Sequence, residues 1–144
     1  MFFGQFNHKL NAKNQVVVPA RYRDQLPEDE KLYLFRKDDT SLLLYTQEAL
    51  ENVFEKMRRL AGTDPGFRRM FTSRVRPVDM DAQGRIVIPA DLKAAIGIGA
   101  DVAFIGNGER IEVWPLERWQ EFETNNEPSY QQTYDGLMDD VFES

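Results

Sequence analysis

Short runs of alternating and continuous apolar residues follow one another along this chain, and they fall into two sets. In the second and clearer set, residues 78–80, 85–88, 102–105 and 110–114 read as strands. Asp81-Ala82-Gln83-Gly84 forms a tight turn, Gly84 supplying the positive φ, so the strands on either side of it are predicted to make a hairpin. Pro89 suits the first turn of a helix, Leu92, Ala95 and Ile96 give that helix an apolar face, and Gly97 or Gly99 ends it. Gly106-Asn107-Gly108 reads as a second hairpin turn. The first set repeats this order with strands at 5–10, 15–18, 32–36 and 41–45, a short helix around 20–26, and a turn at Lys37-Asp38-Asp39.

The two sets superimpose without a gap when the chain is slid by 70 positions. Asn11 then meets Asp81, Pro19 meets Pro89, Ala20 meets Ala90 and Arg23 meets Lys93. A unit of about 45 residues with one short helix cannot bury enough apolar surface to stand comfortably alone. The two copies are therefore expected to share one core as halves of a single pseudo-symmetric domain.

Between the halves, Leu50, Val53, Phe54, Met57 and Leu60 recur at helical spacing over 46–60, with Gly62 as the stop. A second short helix is predicted to start at Asp64-Pro65 and run through Phe67, Met70 and Phe71. After the second half, Leu116, Trp119 and Phe122 mark a helix from Pro115 to about Asn126. The remainder, polar and acidic, is expected to be ordered weakly or only against a neighbour. The organisation is thus repeat 1 at 5–47, a helical linker at 48–75, repeat 2 at 76–119 and an acidic tail at 120–144.

Composition removes several classes of chemistry. The 144 residues hold no cysteine and one histidine, which excludes disulfides, a thiolate nucleophile and a histidine-rich metal site. His8 sits in an alternating stretch and reads more readily as a strand residue than as a catalytic base. With no phosphate-binding loop and no metal cluster, the chain is expected not to be an enzyme and to need no cofactor. It shows no secretory leader and no long apolar span, which points to the cytoplasm and to no membrane or small-molecule partner. The net charge of −6 is unevenly placed. Residues 56–76 hold seven basic residues against Asp64, whereas Arg118 is the sole cation from Glu117 onward.

The opening MFFG, the doubled Asp-x-x-Gly-Arg-like turn followed by strand, Pro and short helix, and the terminal IEVWP resemble the MraZ proteins, which carry tandem SpoVT-AbrB domains. The resemblance covers Met1 to about Phe122. It implies an α+β fold: a pseudo-twofold double-split β-α-β, or swapped-hairpin AbrB-like barrel, built from two tandem repeats with flanking helices. It implies a bacterial nucleoid-associated transcriptional regulator that binds repeated boxes in double-stranded DNA upstream of the division and cell wall gene cluster. It also implies a ring-shaped homo-oligomer, commonly an octamer. The family's Asp-x-x-x-Arg signature is matched by Asp81 and Arg85, while Asn11 and Gln15 depart from it.

Chemically, Asp81 can accept backbone N–H bonds inside its turn, and Arg85 can either pair with Asp81 or reach a phosphate. Asn11 can hold the first turn equally well, and Asn14 tolerates the left-handed conformation that Gly84 takes in the second. Gln15 keeps hydrogen-bonding capacity and loses the charge. Around it, Lys9, Lys13, Arg21 and Arg23 outnumber Asp24, and the second half has Asp91 in place of Arg21. The first half is therefore expected to face DNA through Lys9, Lys13, Gln15, Arg21 and Arg23, with Arg85 as a further contact. Arg58, Arg59, Arg68, Arg69, Arg74 and Arg76 would meet either DNA or a neighbour's acidic tail. An oligomeric protein-interaction scaffold with weakened DNA binding is the alternative.

Overall fold

The computed structural model describes residues 1–60 and 64–143. Each half supplies four strands and a short helix: β1 (Gln5–Lys9), β2 (Gln15–Val17), α1 (Ala20–Arg23), β3 (Leu32–Arg36) and β4 (Leu42–Thr46), then β5 (Arg76–Val78), β6 (Arg85–Val87), α4 (Ala90–Ile96), β7 (Asp101–Asn107) and β8 (Arg110–Pro115). Between them lie α2 (Gln47–Leu60) and α3 (Pro65–Arg74), and α5 (Leu116–Glu143) closes the chain. The protein is thus a mixed α and β fold on an antiparallel sheet.

The strands that flank each Asp-x-x-Gly-like turn do not pair with each other, which corrects the hairpin expectation. The six-stranded sheet runs β1-β7-β8-β4-β3-β5, and β2 pairs only with β6 in a separate two-stranded ribbon. β1 lies on β7 and β5 on β3, all antiparallel. The turn bonds close locally, Asn11 N donating to Gln15 O at 2.9 Å and Asp81 N to Arg85 O at 2.9 Å. Beyond those bonds the arms diverge, each toward a strand of the other half. In the strand pairs that join the halves the register keeps the 70-residue relation, whereas β7·β8 is shifted by one position relative to β3·β4. Gln15 lies opposite Val87, and their counterparts Arg85 and Val17 lie opposite each other. In the same way Leu42 faces Val113 while Leu43 faces Glu112.

This interleaving resolves the shortage of apolar surface in each half. Val16, Val18 and Tyr22 from the first half join Ile86, Ile88, Ile96 and Phe104 from the second in one core, each at most 1% exposed. Each buried aliphatic side chain contributes about 1.5–3 kcal/mol, so neither half retains its core without the other. The opposite sheet face carries Leu43 and Tyr45, which α2 and α3 cover with Leu50, Phe54 and Phe71. Asp64 caps α3 by accepting from Phe67 N at 3.0 Å, as the Asp64-Pro65 start predicts. Gly62, expected to end α2, lies outside the described residues.

Four further expectations are corrected. β5 covers residues 76–78 rather than 78–80, because it is positioned by β3, with Leu32 opposite Val78. Gly106 lies within β7 rather than in a turn. The N-terminal segment crosses it so closely that a Cβ would sit 2.5 Å from Phe3 N, and the turn falls instead at Gly108, with φ +73°. Finally, the acidic tail continues α5 to Glu143 as a 28-residue helix containing Pro128. The first helix is shorter than predicted and ends at Arg23, the bonds from Gln25 N to Tyr22 O and from Leu26 N to Arg23 O continuing it only as turns.

Candidate nucleic-acid interface

The β2·β6 ribbon has two faces, fixed by the period of two along each strand. Val16 and Ile86 point into the core at 1% exposure. Gln15, Val17, Arg85 and Val87 alternate with them and form the outer face. A turn sits at each end of the ribbon. Val18 N donates to Gly84 O at 2.8 Å and Ile88 N to Asn14 O at 2.9 Å, which joins each turn to the strand of the other half.

Inside each turn one side chain organises the backbone. Asp81 Oδ1 accepts from Gln83 N and Arg85 N, both at 2.9 Å, and Asp81 Oδ2 accepts from Arg85 Nε at 2.8 Å. Asn11 Oδ1 accepts from Lys13 N at 3.0 Å and Gln15 N at 2.9 Å, and Asn11 Nδ2 donates to Gln15 Oε1 at 2.9 Å. The substituted motif therefore rebuilds the same contact with neutral amides. The backbone N–H of Arg85 and then its side chain hold the Asp81 carboxyl below its ordinary value. The left-handed position is Asn14 in one turn, at φ 59°, and Gly84 in the other, at φ 79°.

Basic residues of the short helices reach across to these turns. Arg23 lies over Gly84, where a Cβ would meet its Cδ at 2.7 Å, and Arg23 Nε donates to Val18 O at 2.8 Å. Its counterpart Lys93 donates from Nζ to Asn14 Oδ1 at 3.0 Å. Lys93 was not among the expected site residues. The repeat carried the signal, since a basic residue stands at that position in both halves.

The six expected DNA contacts thus differ in availability. Lys9 faces Asp101 across the β1·β7 pair at 3.7 Å, an exposed contact of small energetic weight. Arg85 is held by Asp81 and Arg23 by Val18 O. Gln15 has its Oε1 engaged and its Nε2 donors left over. Lys13 and Arg21 are exposed, and neither side chain has a hydrogen-bond or ion-pair partner among the described residues. The outer face of the ribbon belongs to both halves at once, with Gln15 and Arg85 on the same surface.

His8 is half-buried edge-on against Phe104, at 5.7 Å between ring centres. Burial, and then the charge of Arg23, lower its pKa. Of the linker arginines, Arg58 and Arg59 pair with Glu55, and Arg76 binds both oxygens of Asp91. Among the described residues, no group of three or more His, Asp or Glu side chains is arranged to hold a metal, and no helix is long and apolar enough to cross a membrane.

Two sequence-related halves that share one two-stranded ribbon define a mixed α and β protein on an antiparallel sheet. Residues 70–140 match the family described as "MraZ protein, putative antitoxin-like". The chain is 35% identical over 142 residues to the transcriptional regulator MraZ of Thermoanaerobacter sp. (strain X514), covering 96% of this chain and 98% of that one. It is 33% identical to the MraZ of Syntrophomonas wolfei subsp. wolfei over the same shares. It is 36% identical to that of Acetivibrio thermocellus over 85% of this chain and 86% of the relative. The chain belongs to the MraZ family, whose named relatives are transcriptional regulators.

Proposed function

We propose that this chain regulates transcription by binding double-stranded DNA, as a ring-shaped oligomer, at repeated boxes upstream of its own operon in the division and cell wall gene cluster. The observation that carries the reading is the outer face of the β2·β6 ribbon, where Gln15 and Arg85 lie on one surface, with the exposed cations Lys13 in the turn before β2 and Arg21 on α1 after it. A two-stranded ribbon fits the major groove, which is about 12 Å wide. Lys13 and Arg21 would neutralise phosphates and fix register, while the free Nε2 donors of Gln15 would meet acceptors on a base edge or a phosphate. The strand exchange between halves supports reading the fold as a swapped-hairpin barrel, a frame rigid enough to hold both turns in register.

A net charge of −6 is compatible with this because α5 holds eight acids against Arg118, while the turn and the short helix that flank β2 carry Lys13, Arg21 and Arg23. A ring would present several such ribbons, so tandem boxes gain affinity through effective concentration. One observation favours the scaffold alternative: the charge of Arg85 is already engaged by Asp81, and Gln15 has none. Titration of a labelled duplex from upstream of the gene, against a scrambled duplex at low and moderate salt, separates the two. Preference for the upstream duplex, weakening with salt, supports the regulator. Equal binding of both duplexes overturns it in favour of the scaffold.

A further inference from the structure

The outer turns of α5 present an apolar stripe that nothing in the described chain covers. Trp119 and Phe122 anchor the start of the helix on Trp114, with ring centres 5.3 and 5.2 Å apart. From Glu123 onward, only Asn126 and Met138 are even half-buried among the residues with described side chains. Tyr130, Tyr134, Leu137 and Val141 follow at helical spacing, 42–62% exposed, and form one stripe about 16 Å long. A free helical extension of this length is marginal in water even for good helix formers. This one contains Asn125, Asn126, Pro128 and Gly136, and Pro128 cannot donate to the carbonyl four residues before it. Such a segment holds its helix by packing against something.

The same chain carries a surface of complementary character. α3 is ten residues long, about 15 Å, and exposes Phe67 at 50% and Met70 at 54% beside the packed ring of Phe71. Its Arg68 and Arg74 have no ion-pair partner among the described residues, and α3 contains no acid. On α5, Glu127 and Glu123 stand one and two turns before Tyr130 on the same side of the helix as the stripe. Pairing of two α5 helices with each other would instead bring like charges together.

Building on the oligomer proposed above, we infer that the outer half of α5 docks on α3 of a second copy, its stripe covering Phe67 and Met70 and its glutamates facing the α3 arginines. The acidic helix then serves as the assembly arm, and it masks arginines that would otherwise bind nucleic acid without specificity.

The test is the mass of the full chain by light scattering coupled to gel filtration, with circular dichroism confirming that each variant keeps its fold. Wild type is expected at a multiple of 16.8 kDa. Leu137→Glu, the pair Glu123→Arg/Glu127→Arg and the pair Arg68→Glu/Arg74→Glu should each lower that mass at least twofold. Combining the two charge pairs should restore it. Unchanged mass in either pair, or no restoration in the combination, overturns the inference. Loss of mass in Leu137→Glu alone, with both charge pairs inert, indicates pairing of α5 with α5 and also overturns it. A charge pair that tightens DNA binding without changing mass places the helix over the ribbon instead, which overturns it too. An oligomer that keeps its promoter preference while the charge pairs are inert defeats this contact and leaves the regulatory reading intact. A wild-type chain without promoter preference defeats that reading whatever its mass.

Discussion

Asn11 Nδ2 donates to Gln15 Oε1 at 2.9 Å, in the place where Asp81 Oδ2 accepts from Arg85 Nε at 2.8 Å. The first turn has exchanged an ion pair for an amide pair and kept the geometry. A lone arginine at position 15 would therefore have no carboxylate to satisfy it, whereas an Asp-Arg pair would hold that arginine as Arg85 is held. Gln15→Arg is predicted to tighten DNA binding and steepen the salt dependence by about one unit of log affinity per engaged subunit. Asn11→Asp/Gln15→Arg should tighten it less. Anisotropy titrations over a salt series distinguish the two, and equal effects would show that the motif pairing does not restrain the arginine.

Gly84 and Asn14 occupy the same left-handed position, but their surroundings differ. Gly84→Ala places a Cβ in a disfavoured conformation, 2.7 Å from the Arg23 side chain. The backbone contribution alone costs about 1–2 kcal/mol. Asn14→Ala loses the bond from Lys93, with a smaller backbone cost because Asn14 already carries a Cβ in that conformation. Thermal unfolding should show both variants destabilised, and Gly84→Ala should also release Arg23 Nε from Val18 O. A Gly84→Ala protein as stable as wild type would contradict the contact.

Acid should loosen one turn and spare the other. The folded-state pKa of Asp81 lies below its unfolded value of about 3.9, chiefly because Arg85 N donates to it. Its contribution to stability is therefore complete above the unfolded value and is lost as pH falls through the lower folded one. Asn11 does not titrate. Below about pH 4 the amide resonances of Gln83 and Arg85, which donate to Asp81, should move, while those of Lys13 and Gln15 stay in place. Concerted movement of all four would contradict the division of roles.

Much of this architecture is legible in the residues. The 70-residue offset, the order of strands and helices, the Asp64 cap and the left-handed Asn14 all follow from local chemistry, because turn and cap preferences act within four residues. Strand partners do not follow. Alternation at Gln15, Val16 and Val17 tells which side chains are buried and is silent on whether β2 meets β1 or β6. The expectation that the first half faces DNA rested on the surplus of basic residues around its turn, and charge says nothing about which strands share a surface. With β2 on β6, Gln15 and Arg85 share a face. Gly106 read as a turn because Gly-Asn-Gly is a turn signal, yet its missing side chain admits the N-terminal backbone instead. The acidic end of the chain reads as weakly ordered because its composition opposes an isolated helix, and composition cannot reveal what that helix packs against.

The central claim is that Lys13, in the turn before β2, and Arg21, on α1 after it, meet the phosphates of a specific DNA. It is tested most directly by anisotropy titrations of the upstream duplex and its scrambled counterpart, over a salt series, with wild type and Lys13→Ala/Arg21→Ala. Wild type should prefer the upstream duplex, and the variant should bind more weakly, with a salt slope shallower by about 1.8 units per engaged subunit. Equal affinity of wild type for both duplexes, or a variant with the wild-type slope, would contradict the account.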